Sequence, residues 1–202
     1  AQAMAEECLQ LTEQTNDAGL LCEAHLAVGD TVLWRGEFTR ARVALAQSLA
    51  LYQPQHHALT PLYGNLNAQV FSLLLMAWVL SNLGYPEQAL AQAHETLRFA
   101  RKLSHSYSLA LALAWTAELH LERGEGHVAQ ERAEAMITLC SEQGFSQFLG
   151  WGTVLRGAAL IRQEQWTEGI AQVRQGLEMW AVEILKESFL VWLARGYGGA
   201  GQ

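Results

Sequence analysis

Arg35-Gly36-Glu37-Phe38-Thr39-Arg40-Ala41 and Leu83-Gly84-Tyr85-Pro86-Glu87-Gln88-Ala89 decide the fold. Each runs from a glycine through an aromatic or proline to a small residue, and then into an apolar stretch. Arg123-Gly124-Glu125-Gly126-His127-Val128-Ala129 and Gln163-Glu164-Gln165-Trp166-Thr167-Glu168-Gly169 are weaker copies. The small residues Ala41, Ala89, Ala129 and Gly169 stand 48, 40 and 40 positions apart. Each is followed seven places later by a small or medium residue and an apolar one: Ser48-Leu49, Thr96-Leu97, Met136-Ile137, Gly176-Leu177. Ala1 with Cys8-Leu9 extends the register backwards. A fixed period of this length is the signature of a repeat architecture.

Outward from each turn the apolar residues fall at helical spacing. Val70, Leu73, Leu74, Ala77, Val79 and Leu80 precede one turn; Ala89, Leu90, Ala93, Leu97 and Ala100 follow it. Each repeat therefore reads as two amphipathic helices, the first of about 17 residues and the second a little shorter. Asn16 or Asp17, Ser106 and Thr167 mark expected helix starts, and Gly144 a left-handed helix end. Gly29, Ala77, Ala117 and Gly157 thin the first helices where Ala41, Ala89, Ala129 and Gly169 thin the second. Such a pair buries one face and stacks its remaining apolar face on the next pair. The expected segments are 1–15 (second helix of a preceding repeat), 17–53, 68–103, 106–143, 146–181 and 185–202 (first helix of a truncated repeat). They form one helical-repeat domain of about ten helices. Without a starting methionine, and ending after a first helix, the chain is expected to be an excised fragment with uncapped apolar ends that could self-associate.

The small residue early in the first helix, the turn glycine, the aromatic two places later and the alanine beyond it resemble the tetratricopeptide repeat, with a period longer than that family's usual one of about 34. The fold class is thus all-α, an α-solenoid of tetratricopeptide-like antiparallel hairpins. Five phrases resemble a narrower group: Ala50-Leu51-Tyr52-Gln53-Pro54-Gln55-His56-His57, Leu83-Gly84-Tyr85-Pro86-Glu87-Gln88-Ala89-Leu90, Leu103-Ser104-His105-Ser106-Tyr107-Ser108-Leu109-Ala110, Ser141-Glu142-Gln143-Gly144-Phe145 and Gly169-Ile170-Ala171-Gln172-Val173-Arg174-Gln175-Gly176-Leu177. That group is the C-terminal repeat region of bacterial multidomain proteins carrying an adenylate/guanylate cyclase or kinase domain and an AAA-type ATPase. The resemblance implies a regulatory scaffold beside catalytic domains. Tyr63-Gly64-Asn65-Leu66-Asn67-Ala68 departs from that group's acidic Gly-x-Asp-Pro-Gly-like loop.

Composition narrows the function. Of 202 residues half are apolar and 16% charged, with a net charge of −7. Disorder needs the opposite balance. Nucleic-acid binding needs a clustered basic footprint, and only Lys102 and Lys186 are lysines. No apolar run reaches the roughly 18 residues of a membrane span. Cys8, Cys22 and Cys140 are odd in number and widely spaced, as in a reducing compartment, and no leader peptide is visible, so the expected location is the cytoplasm.

No catalytic, cofactor or metal motif emerges. Neither lysine follows a glycine, as a phosphate-binding loop requires. His94-Glu95-Thr96-Leu97-Arg98 lacks the second histidine of a zinc-protease helix, and the seven histidines are scattered. Ser146 and Thr153 lack a nucleophile elbow. Glu6-Glu7, Glu118, Glu122 and Glu125 read as solvated helix faces. What remains is the concave face, lined at fixed positions of each first helix: Glu23, Leu26, Asp30, Leu33 and Trp34; Phe71, Leu74, Trp78, Ser81 and Asn82; Leu111, Ala114, Glu118, Leu121 and Glu122; Trp151, Val154, Ala158, Ile161 and Arg162. The best candidates are Asp30, Leu33, Trp34, Phe71, Leu74, Trp78, Asn82, Glu118, Glu122, Trp151 and Arg162. The competing reading turns these residues into the core. A groove so apolar and aromatic suits a protein or peptide partner, or a neighbouring domain of the parent chain. The alternative is an effector-sensing repeat, as in related bacterial transcription activators. The insertion at Gln53–Gln69 reads equally as a functional loop or a linker.

Overall fold

The structure is a computed structural model that describes residues 1–15, 17–55, 66–180 and 186–201. Asn16, His56, His57, Tyr63, the centre of the Gln53–Gln69 insertion and the 181–185 junction lie outside the described residues. Ten helices and no strand occur among the described residues. The chain divides into two compact units, Ala1–Ser108 and Leu109–Gln202.

The first unit holds α1 (Gln2–Glu13), α2 (Ala18–Leu33), α3 (Phe38–Leu51), α4 (Ala68–Asn82) and α5 (Pro86–Leu103). Each helix packs on the next, and α2 also touches α4, so neighbouring first helices stack. Cys22 Sγ donates to the Ser48 carbonyl at 3.3 Å, while Gly29 faces Leu45. The start of α2 therefore meets the end of α3, and the pair is antiparallel. Buried Ser48 and Ser72 share a hydroxyl hydrogen bond of 2.9 Å, tying α3 to α4.

The second unit holds most of α6 (Ser106–Glu122), then α7 (Gly126–Gln143), α8 (Ser146–Arg162), α9 (Trp166–Met179) and α10 (Lys186–Gly199). Here α7, α8, α9 and α10 pack in sequence, and α8 reaches α10 as α2 reaches α4. The α8–α9 crossing is the tightest. A Cβ on Gly157 would stand 2.7 Å from the Gly169 carbonyl and the Val173 nitrogen, and one on Gly176 would stand 2.7 Å from the Gly150 carbonyl. Backbone lies on backbone there, so only glycine fits. Both units are stacks of antiparallel hairpins, as in a helical-repeat solenoid.

The four turns share one hydrogen-bond scheme. Glu37, Tyr85, Glu125 and Gln165 donate from N–H to the carbonyls of Val32, Leu80, His120 and Leu160, at 2.9–3.0 Å. This six-to-one bond with a left-handed residue before it is the Schellman motif. Gly36, Gly84 and Gly124 have φ between 78° and 86°; Glu164 fills the same place at 61°. The turn also sets where the next helix begins. Asp17 caps α2, its carboxylate accepting from Gly19 and Leu20 at 2.8 and 3.1 Å. Ser106 opens α6, but α9 begins at Trp166 with Gln165 at its cap, so Thr167 is already inside the helix. Gly144 ends α7 at φ 70° as its position suggested. The second helices are not uniformly shorter: α5 and α7 have 18 residues, against 15 for α4 and 17 for α6. No described helix is long and apolar enough to cross a membrane.

Candidate functional site

In the first unit, α1, α2, Leu66 and the start of α4 border a half-open cavity of about 460 Å³. That is within the roughly 300–1,000 Å³ of small-molecule sites. Helix α1 contributes Cys8 and Thr12. Helix α2 contributes Leu20, Glu23, Ala24, Leu26, Ala27 and Asp30, and the far wall is Leu66 and Phe71. The i, i+7 spacing puts Glu23 and Asp30 on one face of α2, two turns apart. The Thr12 hydroxyl is spent on the Leu9 carbonyl at 2.9 Å. Among the described residues the polar lining therefore comes down to two carboxylates and the Cys8 thiol, with no cation on the wall.

The two acids differ in their partners. Asp30 accepts from the Trp34 indole N–H at 2.9 Å. Glu23 has no hydrogen bond or ion pair among the described residues. Burial pushes its pKa to about 7. Burial also raises Asp30, while the Trp34 indole pulls it the other way. A cationic group entering the cavity would meet an acid that is only about half ionised at neutral pH.

The expected lining residues of this unit separate into three environments. Asp30 and Phe71 line the cavity, beside Glu23 and Leu26. Leu33 and Leu74 are core residues, 2% and 1% exposed. Trp34 is 52% exposed, Trp78 half-buried, and Asn82 exposed with its amide on the Trp78 carbonyl at 2.9 Å. Helix α2 packs on α1, α3 and α4 at once, so a five-residue stripe cannot face open space along its whole length.

The second unit places its candidates otherwise. Trp151 is buried, and its indole N–H donates to half-buried Glu118 at 3.1 Å. Burial pushes Glu118 to about 7; the indole opposes this and Glu122 adds to it. Trp151 belongs to a file of rings, Phe145, Phe148, Trp151, Trp180 and Phe189, with centroids 5.6–6.3 Å apart. That is packing. Glu122 is exposed. The Arg162 guanidinium lies over the Trp192 ring at 5.1 Å and that of Arg195 at 4.8 Å, with neither arginine ion-paired among the described residues. Glu125 is not a free solvated acid: it accepts from His120 at 2.5 Å and Arg123 at 2.8 Å, which holds its pKa low.

Ser108 Oγ and His105 Nδ1 lie 2.8 Å apart, but Ser108 is 0% exposed and the pair closes the start of α6. Among the described residues no His, Cys, Asp and Glu cluster could hold a metal ion. Sequence reasoning missed Cys8, Thr12, Leu66, Trp192 and Arg195. The first three belong to a wall whose existence depends on how far α1 and α4 stand from α2, and no local pattern encodes that. Compared with known proteins, the chain matches no family model and no curated protein.

Proposed function

We propose that the chain is a non-catalytic helical-repeat interaction and regulatory module of a larger bacterial cytoplasmic signalling protein. The observation that carries this reading is the cavity on α2, a largely apolar recess whose charged groups, among the described residues, are two acids without cationic partners on its wall. Such a recess can seat a side chain of a peptide partner or of a neighbouring domain. The resemblance to the repeat regions of cyclase– or kinase–ATPase proteins supports a place beside catalytic domains. A second reading, effector sensing, is favoured by the volume of the cavity, which suits a small molecule held whole.

Thermal unfolding tests both readings. The chain is heated alone, with a library of amphipathic and extended peptides, and with nucleotides, sugars, amino acids and amines. A ligand at about 100 times its dissociation constant adds about 2.7 kcal/mol, a rise of roughly 5–10 °C for a chain of this length. The expected result is a saturable rise that Ala27→Trp removes by filling the cavity. Ala27 is exposed, so the substitution spares the core. Binding that persists in that variant would overturn the assignment of this site.

A further inference from the structure

We propose that the first unit's cavity binds a small hydrophobic amine, its cationic nitrogen paired with Glu23 and its apolar body against Leu20, Leu26 and Phe71. The inference rests on the effector-sensing reading and names the class of molecule that reading requires.

Three observations converge on it. The cavity is a half-open recess of about 460 Å³ with a mostly apolar wall, so it favours an apolar body of limited size. Its charged groups among the described residues are both acids, so the complementary ligand is cationic. Of the two, Asp30 already accepts from the Trp34 indole, whereas Glu23 has no partner among the described residues. A carboxylate with free lone pairs in a part-buried apolar setting is the seat that an ammonium completes, since burying a charge is costly until it is paired. An anionic ligand would set a further negative charge beside the two acids, and a neutral one would leave an ionised Glu23 unpaired.

Binding should also displace a proton. Glu23 holds its proton up to about pH 7 in the empty cavity, and an ammonium requires the ionised form. Among the described residues the other titratable groups on the lining are Asp30 on α2 and Cys8 on α1; Leu66, two residues before α4, and Phe71 on α4 carry none. Asp30 would add to the effect with the same sign. Affinity for an amine therefore rises about tenfold between pH 6 and 8 and levels above that, because the amine stays charged across this range while Glu23 loses its proton.

The test is isothermal titration of the whole chain with phenethylamine and hexylamine, and with their neutral counterparts phenethyl alcohol and hexanol. Runs at pH 6 and 8 use two buffers of different ionisation enthalpy. The expected result is that the amines bind at least tenfold more tightly than the alcohols at pH 8. At pH 6 their heats should shift with buffer in the sense of proton release. Glu23→Gln should weaken amine binding about tenfold, flatten its pH dependence and leave the alcohols unaffected. Ala27→Trp should abolish binding of both. Amines and alcohols binding equally, with no pH dependence, would overturn the inference while leaving the sensing reading in place. No binding by either class would overturn both.

Discussion

Glu23 and Asp30 stand seven residues apart on α2 and line one cavity, yet among the described residues only Asp30 has a donor, the Trp34 indole at 2.9 Å. The unpaired member gives the protein an acid whose pKa of about 7 lies well above that of the unfolded chain.

That offset fixes the sign of a pH dependence. Between about pH 4.5 and 7 the folded state holds a proton at Glu23 that the unfolded chain has released, so stability falls as pH rises through this window. Glu23→Gln removes the burden. It should raise stability at pH 8 by about 1–2 kcal/mol, a nominal shift discounted for partial exposure, and change little at pH 4.5. Glu118→Gln should act with the same sign, since the glutamine carbonyl can keep the Trp151 hydrogen bond. Denaturant melts of the variants at the two pH values check both; equal gains at both pH values would contradict the assignment.

Gly157→Ala should cost about 1–3 kcal/mol, because the new methyl meets backbone of α9 at 2.7 Å and neither helix can yield without moving the other. Gly198→Ala is the control. No atom lies within 4 Å of its added Cβ, so ordinary helix propensity applies and the change should stabilise by about 0.5 kcal/mol. Urea midpoints of the two variants should move in opposite directions.

The fourth turn holds a side chain where the other three have glycine. Glu164 adopts φ 61°, a region that costs an L-residue about 1–2 kcal/mol. Glu164→Gly should therefore stabilise by about 0.5–1 kcal/mol after allowing for the freer unfolded chain. Gly84→Ala, at φ 86°, should lose about 1 kcal/mol. Calorimetric melting of both variants decides this.

Asp17 is the capping side chain of α2, the helix that carries the cavity. Asp17→Ala should cost about 1 kcal/mol. Hydrogen exchange should show the loss as faster exchange at Gly19 and Leu20, the two amides whose acceptor is removed.

The repeat was legible in the sequence because its decisive residues act locally. A glycine at 36, 84 or 124 closes a Schellman turn whatever surrounds it, and Trp166 with Gly169 marked the fourth turn even where Glu164 replaces the glycine. Helix starts were less legible. After a Schellman turn the chain enters the next helix with no side-chain cap at Glu37, Tyr85, Glu125 or Gln165, so looking for a hydroxyl chose Thr167, one residue late. The site was legible only in part. Register put Asp30 and Phe71 on the right helices, but whether such a position meets a cavity or the core depends on the neighbours. Leu33, Leu74 and Trp151 meet side chains of packed helices, and Asp30 and Phe71 line the cavity.

The ring file of the second unit also has an optical meaning. Trp151 and Trp180 lie 5.8 Å apart with planes inclined at 62°. At that separation and tilt their strong ultraviolet transitions mix and split into a paired band of opposite signs in circular dichroism. Trp180→Phe should remove this pair's contribution, and so should any loosening of Trp151 against Trp180. The protein thus carries an unlabelled gauge of order at one place in its second unit, readable while a ligand is titrated into the first.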